Sequence, residues 1–260
     1  MIFIKRFFVF ILTFFILLTI PVKASATTHS QNYSWFCVHR KDHLQPVSDP
    51  SFSFIEKHGG YYIDKAHGDS SNDKIVYLTF DVGYENGNVA KTLDVLKEEN
   101  VIGAFFVLGH FMEAHTNLIV RMFEEGHLVC NHTFSHKTMV GKSEECFVSE
   151  LQKLENTCFE LTGKQLSKYY RPPEGKFDEA SLIHAQKMGY KTIFWSFAYE
   201  DWDNNKQMSS QKAKDKILEN IHNGEIMLLH PTSSTNAEIL QDIIQELKRQ
   251  GYRFGSLDEL

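Results

Sequence analysis

The chain has 260 residues, of which 42% are hydrophobic and 23% are charged. This is the balance of an ordinary globular protein, long enough for one large domain or two small ones. The formal net charge of −6 and the isoelectric point near 6.1, with no basic run, argue against a nucleic-acid-binding surface, so we expect no nucleic-acid partner.

The N-terminal segment has the pattern of an export signal. Lys5 and Arg6 precede an almost wholly apolar run over residues 7–20, and the tripeptide at 24–26 offers a small-x-small cleavage motif. The apolar run is shorter than the ~20 residues that span a bilayer. We predict a signal peptide over residues 1–26, with an uncleaved signal anchor as the alternative. Either way we expect a secreted, wall-associated or membrane-associated protein outside the cytoplasm.

Residues 27–73 lack regular periodicity and contain prolines, a Gly-Gly pair and a polar stretch before residue 74. We interpret them as an N-terminal extension that packs over the following domain rather than folding alone.

The four cysteines are Cys37, Cys130, Cys146 and Cys158. None forms a CxxC pair, and Cys146 and Cys158 fall in one predicted helix at a spacing too long for a direct bridge. We therefore expect free, buried thiols.

From residue 74 the chain alternates between apolar strands and amphipathic helices. The predicted strands cover residues 75–80, 103–108, 128–130, 169–170, 191–197, 226–229 and 252–255. The predicted helices cover residues 88–99, 118–125, 143–161, 178–188, 209–222 and 236–250. Repeated β-then-α units imply a parallel sheet covered by helices. We predict an α/β domain over residues 74–260, built as a distorted (β/α) barrel with about seven parallel strands.

In such barrels, chemistry is found at the carboxyl ends of the strands. The polar residues in that position are Asp81, His132, His136, Arg171, Asp201 and His230. Each alone has a commoner explanation as a helix cap, a turn former or a satisfied core histidine. The six residues follow five different strands, and five such coincidences at one end of one barrel point instead to an active site. His132 and His136 are four residues apart, so we expect them on one helix face, within reach of one metal ion.

The order of the motifs TFD, HxxxH, RPPxG, DW and LLH resembles that of the NodB-type polysaccharide deacetylases, over roughly residues 74–260. The stretch TFDVGYENG at 79–87, with residues 33–47 upstream, is similar more narrowly to the delta-lactam-biosynthetic de-N-acetylases of spore-forming bacteria. Those enzymes act on N-acetylmuramic acid in cortex peptidoglycan. The resemblance implies the NodB homology fold, a distorted barrel, and hydrolysis of an N-acetyl group to an amine and acetate.

The resemblance also implies a role for each candidate. These roles are general base for Asp81, general acid for His230, metal ligand for His132 and His136, orientation of the base for Arg171, and acidic partner of that arginine for Asp201. An amide hydrolase needs a base to activate water and an acid to protonate the leaving nitrogen, so the set is chemically complete.

Val82 stands where the wider family has a second Asp that completes a His-His-Asp metal site. The resemblance implies a divalent metal, with zinc as the first candidate, but a catalytic zinc usually keeps three protein ligands. Three arrangements stay open. The ion is held by the two histidines and waters, or a nearby carboxylate such as Glu85 helps. Otherwise the ion is absent, and Arg171 with backbone donors stabilises the oxyanion.

The expected substrate is N-acetylmuramic acid in peptidoglycan glycan strands, where deacetylation permits muramic delta-lactam formation in spore cortex. Muramic acid carries a lactyl carboxylate, and Lys176 is the candidate cation for it, with Trp202 as a second substrate contact. The alternatives are an N-acetylglucosamine deacetylase acting on peptidoglycan or chitin-like oligomers, and a non-catalytic wall-binding protein. Retention of both Asp81 and His230 argues against a pure binder.

Overall fold

The structure, a computed structural model, describes Ile2 and residues 31–260. Apart from Ile2, the predicted signal peptide over residues 1–26 lies outside the described residues. The strands are β1 (Tyr33–Ser34), β2 (Cys37–Val38), β3 (Val47–Ser48), β4 (Gly60–Tyr61), β5 (Lys74–Val82), β6 (Ala104–Val107), β7 (Leu128–Asn131), β8 (Tyr169–Tyr170), β9 (Lys176–Phe177), β10 (Lys191–Ile193), β11 (Glu225–Leu229) and β12 (Tyr252–Phe254). The helices are α1 (Phe54–Lys57), α2 (Asn88–Glu98), α3 (Gly109–Ala114), α4 (Thr116–Glu124), α5 (Glu144–Thr162), α6 (Glu179–Lys187), α7 (Ser210–Asn220) and α8 (Ser234–Arg249). In the part of the chain that is described, no helix is long and apolar enough to cross a membrane.

A parallel sheet forms the centre of the molecule. Seven strands pair in the order β11-β5-β6-β7-β8-β10-β4, and β12 adds to β5. The sheet curls until the chain beyond β10 reaches β11, where Phe197 bridges to Met227 and the Ser196 amide donates to the Ile226 carbonyl at 3.0 Å. The prediction of a distorted (β/α) barrel is confirmed.

The core has two layers. Outside the barrel, α8 lays its buried stripe of Ile239, Ile243 and Leu247 toward the sheet. Inside it, β5 and β6 contribute buried aromatic side chains, including Tyr77 and Phe106. Strands that are buried on both faces read as continuous apolar runs, which is why the sequence shows them so clearly.

The predicted strand over residues 191–197 is shorter than expected, because β10 ends at Ile193. From Ile193 to Trp195, the backbone carbonyls accept hydrogen bonds from side chains instead of from a neighbouring strand. Arg171 donates to the carbonyls of Ile193 and Phe194, and Trp35 Nε1 donates to that of Trp195 at 2.8 Å. Strand pairing therefore stops where the polar site begins. The short helix α3 was also not among the predicted elements.

The extension packs on the barrel and adds one strand to it. Its strand β1 pairs antiparallel with β9, and β4 pairs parallel with β10 at the edge of the main sheet. The amide of Asp64 also donates to the carbonyl of Gly224 at 2.9 Å.

All four cysteines are free, as expected, but they are not all buried. Cys130 and Cys158 are buried and Cys37 is half-buried, whereas Cys146 is exposed. The expectation is wrong for Cys146 because it lies one position away from Phe147, which begins the buried stripe of α5.

Candidate active site

The carboxyl ends of the strands open into a cleft of about 690 Å³. The predicted site residues that line it are Asp81, Val82, His132, His136, Trp202 and His230. Arg171 and Asp201 are buried, with 0% and 2% of their surface exposed, and act on the cleft through the residues in front of them. The structure thus brings the motifs together at the end of the barrel where chemistry was expected.

Asp81 is the penultimate residue of β5 and is held by a buried arginine. Its Oδ1 accepts a hydrogen bond from Arg171 Nη1 at 2.9 Å, and its Oδ2 lies 3.5 Å from His132 Nε2. Burial alone would raise the pKa of Asp81, but the electrostatic effects of His132 and Arg171 and the hydrogen bond from Arg171 outweigh it, so the pKa is lowered. Asp81 is therefore an ionised carboxylate with one oxygen fixed and the other facing the cleft histidines.

The guanidinium of Arg171 is fixed on every side. Nη2 donates to Thr79 Oγ1 at 2.9 Å and to the Phe194 carbonyl at 3.2 Å, and Nε donates to the Ile193 carbonyl at 3.0 Å. The group also stacks over the ring of Phe106 at 4.2 Å. Four of its five N–H groups make these contacts and the side chain does not line the cleft, so Arg171 orients Asp81 from behind.

His132 and His136 do not lie on a helix, so that expectation is wrong. The loop after β7 places Thr133 and His136 in left-handed backbone, with φ of 69° and 57°. The Asn131 side chain fixes this turn by accepting from the Thr133 amide at 2.9 Å and donating to the Leu151 carbonyl at 3.1 Å. The two imidazole rings are nevertheless neighbours, with centroids 5.0 Å apart.

The tautomer of His132 follows from its partners. Its Nδ1 donates to the carbonyl of Arg171 at 2.8 Å, which leaves Nε2 with a lone pair on the side of Asp81. Burial lowers the pKa of His132 to about 4, so the ring is neutral at physiological pH. The pKa of His136 is also lowered, mainly by burial. Both rings are thus available as metal ligands through an unprotonated nitrogen.

Asp201 is the partner of His230 and not of Arg171, which corrects the role implied by the resemblance. Its Oδ1 accepts from His230 Nδ1 at 2.7 Å and its Oδ2 accepts from the His230 amide at 2.7 Å. Burial alone would lower the pKa of His230, but the hydrogen bond and charge of Asp201 outweigh it and raise that pKa. His230 is therefore oriented through Nδ1, with Nε2 left to exchange a proton.

The two predicted substrate contacts have different outcomes. Trp202 lines the cleft with 56% of its surface exposed, and its ring lies 6.1 Å from that of His230. Lys176 does not line the cleft, and its Nζ lies 2.5 Å from Glu174 Oε2 in an exposed ion pair. The structure therefore does not place Lys176 where a cation for the lactyl group was expected.

With this geometry in place, comparison with known proteins identifies the family. A model of the polysaccharide deacetylase family matches residues 68–193. The chain is 44% identical over 208 residues to the peptidoglycan-N-acetylmuramic acid deacetylase PdaA of Bacillus subtilis, covering 80% of this chain and 77% of that one. The chain belongs to the polysaccharide deacetylase family.

Two further likenesses support that membership. The structure of Bacillus subtilis PdaA, a family 4 carbohydrate esterase, superposes with a TM-score of 0.83 at 41% identity, covering 88% of this chain and 97% of that one. A peptidoglycan-N-acetylglucosamine deacetylase of Bacillus cereus is 32% identical over 213 residues, covering 80% of this chain and 74% of that one. The barrel and the enzyme class predicted from the sequence are thus confirmed.

Polysaccharide deacetylases are generally metal-dependent enzymes, so side chains that bind a metal ion are expected in this deacetylase. Across residues 31–260, no group of three His, Cys, Asp or Glu side chains could hold an ion. Glu85 is no substitute ligand, because its carboxylate accepts from the amides of Gly87 and Val89 at 2.7 and 3.1 Å at the start of α2. A three-ligand site does not fit the described residues, and His132 and His136 are the donors that remain.

We predict weak zinc binding by the wild-type chain and tighter binding by Val82→Asp. Val82 lines the same cleft as the two imidazoles and stands where the wider family has its third ligand, so a carboxylate there is expected to add to the histidine pair. Loss of a hydrogen-bond partner of a metal ligand costs ~10–100-fold in metal affinity. Gain of a direct ligand is therefore expected to raise the zinc affinity by at least this factor. Calorimetric titration with zinc measures it, and Val82→Asn is the uncharged control. Equal affinity in wild type and Val82→Asp would mean that the two histidines do not face one point.

Two residues of the site were missed by sequence reasoning. His110 on α3 lines the cleft, and the rule that chemistry follows each strand could have found it, because it follows the strand at 103–108. Asn236 on α8 donates to Asp201 Oδ2 at 2.6 Å and to the His230 carbonyl at 3.2 Å. No sequence motif marks Asn236, since its role depends on α8 folding back onto the cleft.

Proposed function

We propose that this deacetylase removes the N-acetyl group of N-acetylmuramic acid in peptidoglycan glycan strands. The observation that most supports the proposal is the pairing of an ionised Asp81, fixed by Arg171, with a His230 fixed by Asp201, in one cleft. The similarity to an N-acetylmuramic acid deacetylase adds the choice of sugar.

In this mechanism the chain's own residues move two protons. Asp81 accepts a proton from the water that attacks the acetyl carbonyl, and His230 donates a proton to the departing nitrogen. Arg171 favours the ionised form of Asp81, and Asp201 orients His230 and raises its pKa, which favours the protonated ring. The products are acetate and the free amine of muramic acid. That amine and the lactyl group lie on adjacent ring carbons, so the amine and the lactyl carboxyl can close the six-membered lactam of spore cortex with loss of water.

The substrate choice has a direct test. The enzyme is incubated with peptidoglycan strands freed of stem peptide and with chitin oligomers of similar length, and acetyl loss is followed by mass spectrometry. We expect acetyl loss from muramic acid and little from chitin. Faster acetate release from chitin oligomers would overturn the muramic-acid proposal in favour of an N-acetylglucosamine deacetylase, and no release from either would favour the wall-binding alternative.

We also propose that the protein acts outside the cytoplasm, where peptidoglycan is found, after cleavage of the signal predicted over residues 1–26. Edman sequencing of the protein from culture or wall fractions should then begin at Thr27. Membrane-bound material that begins at Met1 would support the uncleaved anchor instead.

A further inference from the structure

The proposed substrate carries a carboxylate, but the cleft has few side chains that could offer it a positive charge. Among the described residues that line it there is no Lys or Arg, and its carboxylates are those of Asp81 and Glu174. The nearest lysine in sequence, Lys176, is paired with Glu174. Among the described side chains that line it, only the imidazoles can carry a positive charge.

Three of the four imidazoles that line the cleft already contact another side chain or the backbone. His132 donates through Nδ1 to the Arg171 carbonyl and faces Asp81 through Nε2. His230 is held by Asp201, and His136 lies edge-on to the ring of His132. Each of these rings faces the reacting centre.

His110 is the fourth imidazole, and its side chain is exposed. Within residues 31–260 its ring has no hydrogen bond, ion pair or ring contact with another side chain, in contrast to the three others. It lines the same cleft as His132 and His136. His110 is thus an unengaged donor at the edge of the reacting centre.

The backbone fixes His110 in that place. The Leu108 amide donates to the Val82 carbonyl at 3.3 Å, and the Gly109 amide donates to the Phe134 carbonyl at 3.0 Å. A side chain at Gly109 would meet the Phe134 ring at 2.4 Å, so only glycine permits this approach. The position of His110 is therefore set by β5 and by the loop that holds the cleft histidines.

We propose that His110 is a specificity-determining residue that donates a hydrogen bond to the lactyl carboxylate of N-acetylmuramic acid. This rests on the proposed function, since N-acetylglucosamine has no such carboxylate. Hydrogen bonds from an imidazole to a carboxylate are charge-assisted and directional. His110 thereby takes the role expected of Lys176, and it discriminates between the two sugars without taking part in proton transfer.

The test compares two substrates that differ only at the carboxylate. One is peptide-free glycan strands, and the other is the same strands with the lactyl carboxylates converted to methylamides. The ratio of kcat/KM for acetate release from the two is the readout. We expect the wild-type enzyme to prefer the free carboxylate. His110→Leu, which has no hydrogen-bond donor, should reduce that preference by about ten- to a hundredfold, the range for a hydrogen bond to a charged group.

Two variants make the result specific. His110→Lys returns a hydrogen-bond donor to this position and should restore most of the preference. Glu113→Gln removes an exposed charge from the same helix outside the cleft and should leave the preference unchanged. An unchanged preference in His110→Leu, or a wild-type enzyme that acts equally on both substrates, would overturn the role of His110 while leaving muramic acid deacetylation standing. Acetate release from chitin alone would overturn both.

Discussion

Asp81→Asn is expected to reduce turnover on peptide-free glycan strands by about 10²–10⁴-fold, the usual contribution of a general base. The amide keeps the shape of the side chain and an oxygen that can accept from Arg171 Nη1. It cannot take a proton from the attacking water. The loss should therefore appear in kcat, while KM changes little, and quantified acetate release over a range of substrate concentrations measures both.

The same change removes the counter-charge of Arg171, whose side chain has 0% of its surface exposed. Breaking a buried ion pair typically costs about 3–5 kcal/mol, so the variant should also unfold at lower temperature. Activity is therefore compared well below that unfolding temperature, with circular dichroism to show that the chain is folded. Asp215→Asn, on the exposed side of α7, is the matched control. Near-wild-type turnover in folded Asp81→Asn would remove Asp81 from the role of base.

The barrel was predictable because its strands are buried on both faces and its helices on one. Such elements differ in periodicity, and the helix over residues 143–161, found as Glu144–Thr162, shows how well the pattern sets their bounds. The location of the site followed from the rule about strand ends. Asp81, His132 and His230 were found in this way, because each stands directly after an apolar run.

The contacts between those residues were not predictable to the same degree. The loop that holds His132 and His136 depends on two left-handed residues, and neither is a glycine that would have signalled them. The pairing of Asp201 with His230 rather than Arg171 depends on how loops from distant strands meet. Sequence spacing does not show which loops meet, so the expectation that Asp201 pairs with Arg171 is wrong.

His230→Ala is the second substitution with a large expected effect, also about 10²–10⁴-fold in turnover. Without the imidazole, the amine nitrogen would have to leave without a proton from the enzyme. The truncation leaves the buried carboxylate of Asp201 with the backbone amide of residue 230 and Asn236 as its remaining donors, so folding is checked by circular dichroism here too. His184→Ala, at a histidine on α6 outside the cleft, is a control for the loss of an imidazole. Unchanged turnover in His230→Ala would mean that another group protonates the leaving nitrogen.

The pH dependence separates an acid from a merely structural histidine. As a general acid, His230 works only when protonated, so kcat should fall as pH rises through its pKa. Asp201 raises that pKa against the opposing effect of burial. Asp201→Asn removes the charge, so the pKa of His230 should fall and the alkaline limb of the kcat profile should move to lower pH. Glu238→Gln removes an exposed carboxylate from α8 and should leave the limb in place. An alkaline limb at the same pH in Asp201→Asn and wild type would show that His230 is not the titrating acid, because its nearest charge would then have no effect on the step it performs.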